Sequence, residues 1–138
     1  EVEVPASGGN GTLIAQGGRF GGWSLYVKDG VPAYHYNFLG LQRFTVTSTE
    51  KLQPGKSTVV FQFDYDGGGP AKGGKGTLLI NGKKVGEGRI DATQPGMFSA
   101  DETADVGIDL GTPVVEAIGS EARSRFTGKV PKVTVSVK

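Results

Sequence analysis

The chain predicts an all-β fold: an antiparallel two-sheet β-sandwich of jelly-roll type, with about ten strands. Three observations carry this expectation. Alternation of apolar and polar residues at period two recurs along most of the chain, the pattern of strands with one buried and one wet face. Turn residues punctuate those runs every 8–12 residues or so, roughly the spacing of sandwiches and barrels. Glycine supplies 24 of 138 residues, more than twice the usual share of about 7%. These glycines are interleaved with β-branched runs and lack the collagen period, so they point to tight turns, bulges and close strand packing.

Taken in order, residues 1–10 read as a flexible lead-in and 11–138 as a single sandwich domain. A short strand is predicted over 12–16. The next run places Trp23, Leu25 and Val27 on one face and Ser24, Tyr26 and Lys28 on the other. Asp29-Gly30 then reads as a hairpin turn into a strand over 33–38, followed by one over 44–48. Pro54-Gly55 marks a break before a long central strand, where Val59, Phe61, Phe63 and Tyr65 face opposite Thr58, Val60, Gln62 and Asp64. Strands over 77–80 and 84–90 flank Asn81-Gly82, the strongest hairpin signal in the chain, because both central residues of that turn need φ > 0. Val106-Gly107-Ile108 and residues 124–127 are shorter candidates. The last run sets Val133, Val135 and Val137 inward against Lys132, Thr134, Ser136 and Lys138. Only 114–122 hints at helix; it contains Gly119 and no sustained 3.6-residue stripe, so one short turn at most is expected.

Composition narrows the function classes. The hydrophobic fraction of 36% with 21% charged residues suits one folded core. Fifteen basic against fourteen acidic residues leave a net charge of +1, no electrostatic footprint for nucleic acid or an anionic membrane surface. The absence of cysteine removes disulfides, thiolate metal sites and cysteine nucleophiles, and leaves the compartment open. No apolar run approaches the roughly 18–20 residues of a spanning helix. The opening Glu1-Val2-Glu3-Val4-Pro5 has neither an initiator Met nor a signal-peptide pattern, and reads as a chain trimmed from a larger enzyme.

Each motif that could carry chemistry has a plainer reading. The one histidine, His35, lies in Ala33-Tyr34-His35-Tyr36-Asn37-Phe38, where alternation sets it opposite Tyr34 and Tyr36. A triad would need a nucleophile, an acid and an oxyanion hole, and no G-x-S-x-G elbow occurs. His35 is therefore expected to line a strand or groove. The loop from Asp66 to Gly76 nearly matches a phosphate-binding G-x-x-x-x-G-K-[ST] motif, but Gly76 stands where the hydroxyl residue belongs. A strand rather than a helix is predicted to follow, so the phosphate cradle would be incomplete. The run from Ser99 to Pro113 is rich in carboxylates, and Asp101, Asp105 and Asp109 are the candidate oxygen ligands for a structural Ca²⁺ ion. Its spacing does not match an EF-hand, and turn or cap roles are the alternative. Asn10-Gly11-Thr12 fits a glycosylation sequon by pattern alone. Trp23, the only tryptophan, falls on an apolar face, where core packing competes with sugar stacking. The compact Glu-x-Asp-x-x-Glu pattern of sandwich-type glycosidases is missing; Glu87 stands among glycines and Glu102 in a loop.

Several stretches, taken in order over nearly the whole chain, resemble the C-terminal β-domain of long bacterial arylsulfatases. They are Gly21-Gly22-Trp23-Ser24-Leu25-Tyr26, Tyr36-Asn37-Phe38-Leu39-Gly40 and Phe63-Asp64-Tyr65-Asp66-Gly67-Gly68-Gly69. With them go Asp101-Glu102-Thr103-Ala104-Asp105-Val106-Gly107, Gly111-Thr112-Pro113-Val114 and Phe126-Thr127-Gly128-Lys129. The ending is also similar to the concanavalin A/laminin-G-like sandwich class. The resemblance implies a parent enzyme that hydrolyses sulfate esters with a formylglycine and a bound divalent metal. Those elements belong to the sulfatase's own catalytic domain. The modified Cys/Ser-x-Pro-x-Arg signature is absent here, so no catalytic residue carries over to this chain. The expectation is a non-catalytic accessory domain that packs in cis on the catalytic sulfatase domain. The alternative is a carbohydrate-binding, lectin-like module with Tyr34, His35, Tyr36 and Trp23 as ligand contacts.

Overall fold

The computed structural model describes residues 1–18, 21–38, 42–65, 73–90, 104–107 and 124–134. Among these residues are ten strands: β1 (Val2–Val4), β2 (Gly11–Gly18), β3 (Gly21–Lys28), β4 (Val31–Phe38), β5 (Gln42–Thr47), β6 (Gly55–Ser57), β7 (Val59–Tyr65), β8 (Gly74–Ile80), β9 (Lys83–Ile90) and β10 (Ala104–Val106). They pair antiparallel in three sheets, ordered β10-β2-β3-β4-β5, β7-β8-β9 and β1-β6.

Both predicted hairpin turns form. Asp29 and Gly30 have φ of 52° and 82°, and Asn81 and Gly82 have φ of 51° and 84°. Two positive φ values in a two-residue loop define the type I′ turn, whose twist matches that of the flanking strands. The first closes β3 on β4 at Lys28 opposite Val31. The second closes β8 on β9 at Ile80 opposite Lys83. Asn81 also fixes the break between β6 and β7. Its N–H donates to the Thr58 carbonyl at 2.8 Å, and its Oδ1 accepts the Thr58 N–H at 2.8 Å. The chain thus changes partner at Thr58, from β1 to β8.

The sheets pack sandwich-like over one core. Leu25, Val27, Tyr34, Tyr36 and Val46 of the five-stranded sheet cluster with Leu78, Val85 and Ile90 of the three-stranded one. Phe61 of β7 stacks on Tyr34 with ring centroids 3.6 Å apart and planes 5° apart, and Trp23 stacks on Tyr34 at 6.0 Å with planes 23° apart. Glycine sets the sheet separation where β5 meets β8 and β9. A Cβ at Gly76 or Gly88 would meet Val46 Cγ2 at 3.3 or 3.2 Å, and one at Gly86 would meet the Thr47 carbonyl at 2.6 Å. Side chains there would push the sheets apart, which accounts for part of the glycine excess.

Four expectations change. Residues 1–10 are no flexible lead-in over their first stretch: Val2 and Val4 are buried in the core and pair with Ser57 and Gly55. A three-residue strand whose partner lies some fifty residues away leaves too short a pattern to read locally. Residues 124–127 form no strand; Arg125 makes one isolated parallel bridge to Thr12, and the Thr127 N–H donates to the Asn10 carbonyl. Residues 131–134 carry no strand either, and Val133, predicted inward, is 37% exposed. Just before this segment Lys129 exchanges backbone hydrogen bonds with Glu3 of β1, and within it the Lys132 carbonyl accepts the Glu1 N–H. Finally, the predicted wet face of β3 meets water only at Lys28: Ser24 and Tyr26 are buried, as are Leu25 and Val27 on the other face, with Trp23 half-buried. The helical turn considered for 114–122 lies outside the described residues.

Candidate functional site

The four candidate ligand contacts fall on β3 and β4, and the pleat divides them. Trp23 stands opposite Tyr36, and Leu25 opposite Tyr34, on the face turned to β7–β9. Tyr34 and Tyr36 are buried there, with Trp23 half-buried against them. Burial pushes the Tyr34 phenol well above its ordinary range, and the neighbouring Tyr36 adds to the shift. A neutral, stacked, interior phenol is a packing element. The exposed aromatic stripe that a sugar platform needs is therefore not formed by these three residues.

His35 points to the opposite face. It is 7% exposed and lies in one cross-strand row, with Ser24 of β3 on one side and Thr45 of β5 on the other. Its Nδ1 shares a 2.8 Å hydrogen bond with Thr45 Oγ1. Thr12, Ala15, Asn37 and Ala33 are also buried on this side of the chain. The Ser24 and Thr12 hydroxyls are fully buried and make no hydrogen bond. A hydroxyl beside an imidazole suggests a nucleophile and base. Ser24 has no exposed surface at all, however, so nothing can approach it for attack. As the structure stands, the row packs β3 on β4 and β5.

The remaining motifs resolve simply. The glycine loop runs into β8, a strand and not a helix, and Lys75 of that strand pairs with Glu87 at 2.9 Å. Glu87 takes a second lysine, Lys84, at 3.1 Å. The hydrogen bond from Lys75, then that from Lys84, hold its carboxyl below the usual carboxylate range. Glu87 thus belongs to an exposed ion-pair cluster on β8–β9, and Lys83 pairs likewise with Glu50 at 2.6 Å. Asp101 and Asp109 lie outside the described residues, and Asp105 is placed by its backbone alone, opposite Ala15 on β10. Among the described residues no group of three or more histidine or acidic side chains is arranged to hold a metal ion. Nor is any helix there long and apolar enough to cross a membrane.

The Ser24–His35–Thr45 row was missed by reading motifs along the chain, although half of it was available. Ser24 and His35 are equidistant from the Asp29-Gly30 turn, so a two-residue hairpin fixes them opposite one another. Thr45 belongs to the next hairpin, whose residues 39–41 carry no such signal. Comparison of the chain with protein-family models, curated proteins and solved structures found no match.

Proposed function

We propose that this chain is a non-catalytic accessory β-domain of jelly-roll, concanavalin A-like type, belonging to an arylsulfatase and packing in cis on its catalytic domain. The ordered set of motifs that resembles the C-terminal domain of long bacterial arylsulfatases supports the parentage. The observation that carries the accessory role is where the fold puts its chemistry-bearing side chains. The single histidine is locked in a cross-strand row, Tyr34 and Tyr36 fill the core, and Glu87 is held between two lysines. In this reading the sandwich lends a rigid support, and its loops shape the substrate entrance of the parent enzyme.

The test has two arms. The isolated chain, incubated with a chromogenic aryl sulfate and divalent metal, is expected to release no product. Hydrolysis that survives repurification and disappears in a His35→Ala variant would overturn the non-catalytic role. The full reading frame is expected to encode a Cys/Ser-x-Pro-x-Arg signature upstream; a frame without it would remove the sulfatase parentage.

A further inference from the structure

The chain contains two Asn-Gly bonds, Asn10-Gly11 and Asn81-Gly82. From their settings we infer that Asn81 is a site of spontaneous succinimide formation in the folded protein, and that the fold protects Asn10. The inference stands apart from the proposed accessory role.

The chemistry is intramolecular. The Gly82 nitrogen attacks Cγ of Asn81, forming a new C–N bond, and the Asn81 side-chain nitrogen departs as ammonia with the proton lost from the Gly82 amide. Water then opens the cyclic imide. Addition at the Cγ carbonyl restores the backbone and leaves aspartate. Addition at the backbone carbonyl breaks the original Asn81–Gly82 peptide bond and leaves isoaspartate. Net, one water is consumed and one ammonia released, with no redox partner. The following residue must be small, and its N–H must be available.

The two sites differ at that N–H. Around the two-residue Asp29-Gly30 turn, Lys28 and Val31 form the hydrogen-bonded pair, so alternation turns the backbone groups of Val27 toward β2. Gly11 is the residue opposite Val27, and its N–H is spent in that ladder. Gly11 is also packed: a Cβ there would meet the Arg125 carbonyl oxygen at 2.5 Å and Phe126 Cα at 2.6 Å. Asn10 is held on three sides. Its N–H donates to Thr127 Oγ1 at 3.0 Å, its carbonyl accepts the Thr127 N–H at 2.9 Å, and its Oδ1 accepts the Asp29 N–H at 2.7 Å.

Gly82 occupies the outer corner of its turn. The β8–β9 ladder begins at Ile80 and Lys83 on either side of it, and beyond its chain neighbours no atom lies within 4 Å of where a Cβ would stand. No hydrogen bond from the Gly82 N–H occurs among the described residues. Among the described residues the Asn81 carboxamide is restrained by one bond, accepted from the Thr58 N–H, on an exposed turn. Opening that bond frees Cγ to meet the glycine nitrogen, whereas Asn10 reacts only after the β2–β3 ladder and the Thr127 clamp open.

Incubation of the intact chain at mildly alkaline pH, followed by peptide mapping with isoaspartate detection, tests this. Asn81 is expected to convert roughly tenfold or more faster than Asn10, because more bonds must open at Asn10. In denaturant the two rates are expected to converge. Each event removes one unit of positive net charge, so an acidic species should appear on ion exchange and comigrate with Asn81→Asp. Equal native rates at the two sites, or an Asn81 that is stable natively while both react in denaturant, would overturn the inference.

Discussion

On one side of the five-stranded sheet, Leu25, Val27, Tyr34 and Val46 meet Leu78 and Phe61 across an apolar interlayer. On the other side Ser24, His35, Asn37 and Thr12 are just as buried, yet polar. The two sides answer to different rules. Apolar burial is favourable for each group removed from water and needs no particular geometry. Polar burial is tolerated where partners are supplied, as Thr45 does for His35, and costs stability where they are not. The comparison teaches that the first face makes the fold stable, while the second holds reserves that substitution can recover.

The largest effect is expected on the apolar side. Leu78 is fully buried at the centre of the interlayer, and Leu78→Ala should cost about 2–5 kcal/mol in equilibrium denaturation. A loss under about 1 kcal/mol would mean that this interlayer is not the main source of stability.

The same side sets an alkaline limit. Burial raises the Tyr34 phenol on this side, and also that of Tyr26 on the opposite, polar side. Both folded-state values exceed the unfolded value of about 10. Their contribution is therefore intact below that pH and lost as pH rises beyond it, since the unfolded chain ionises first. Tyr34→Phe should move the onset of alkaline unfolding to higher pH, followed by tyrosinate absorbance. An unchanged onset would place the limiting phenol elsewhere.

On the polar side the sign reverses. Ser24→Ala removes an orphaned hydroxyl and is expected to be neutral or to stabilise by about 1 kcal/mol; Thr12→Val tests the same point on β2. Destabilisation by both would mean that these hydroxyls are satisfied in solution, and the contrast between the faces would shrink accordingly.

The smallest effect belongs to neither face. Glu87→Gln removes the exposed pairs with Lys75 and Lys84, and exposed pairs contribute little and are screened by salt. The shift should sit near the detection limit at low salt and vanish at high salt. Because the folded carboxyl titrates below its unfolded value, even this contribution is present above the carboxylate range and lost as pH falls through it.

Much of the strand content could be read directly from residues. Clear period-two runs located β3 and β7, shorter candidate runs fell on β2, β4, β5, β8 and β9, and Asp29-Gly30 and Asn81-Gly82 announced the turns that join β3 to β4 and β8 to β9. Those signals are local: a residue's side-chain direction in a strand follows from its neighbours two positions away, and a turn's positive φ values select its residues. The separation of His35 from Tyr34 and Tyr36 was legible for the same reason.

What the sequence by itself determined, then, is which residues share a face and where the chain reverses. Only the tertiary structure decided which faces meet water, that Val2 and Val4 are core residues, and that residues 131–134 stay out of a ladder. It alone stacked Tyr34 on both Trp23 and Phe61 and joined Glu87 to its lysines. The physical reason is range. Alternation and turn preference are set within a few covalent bonds, whereas burial and partner choice depend on segments brought together from across the chain, where short strands such as β1 carry too few residues to advertise their partners.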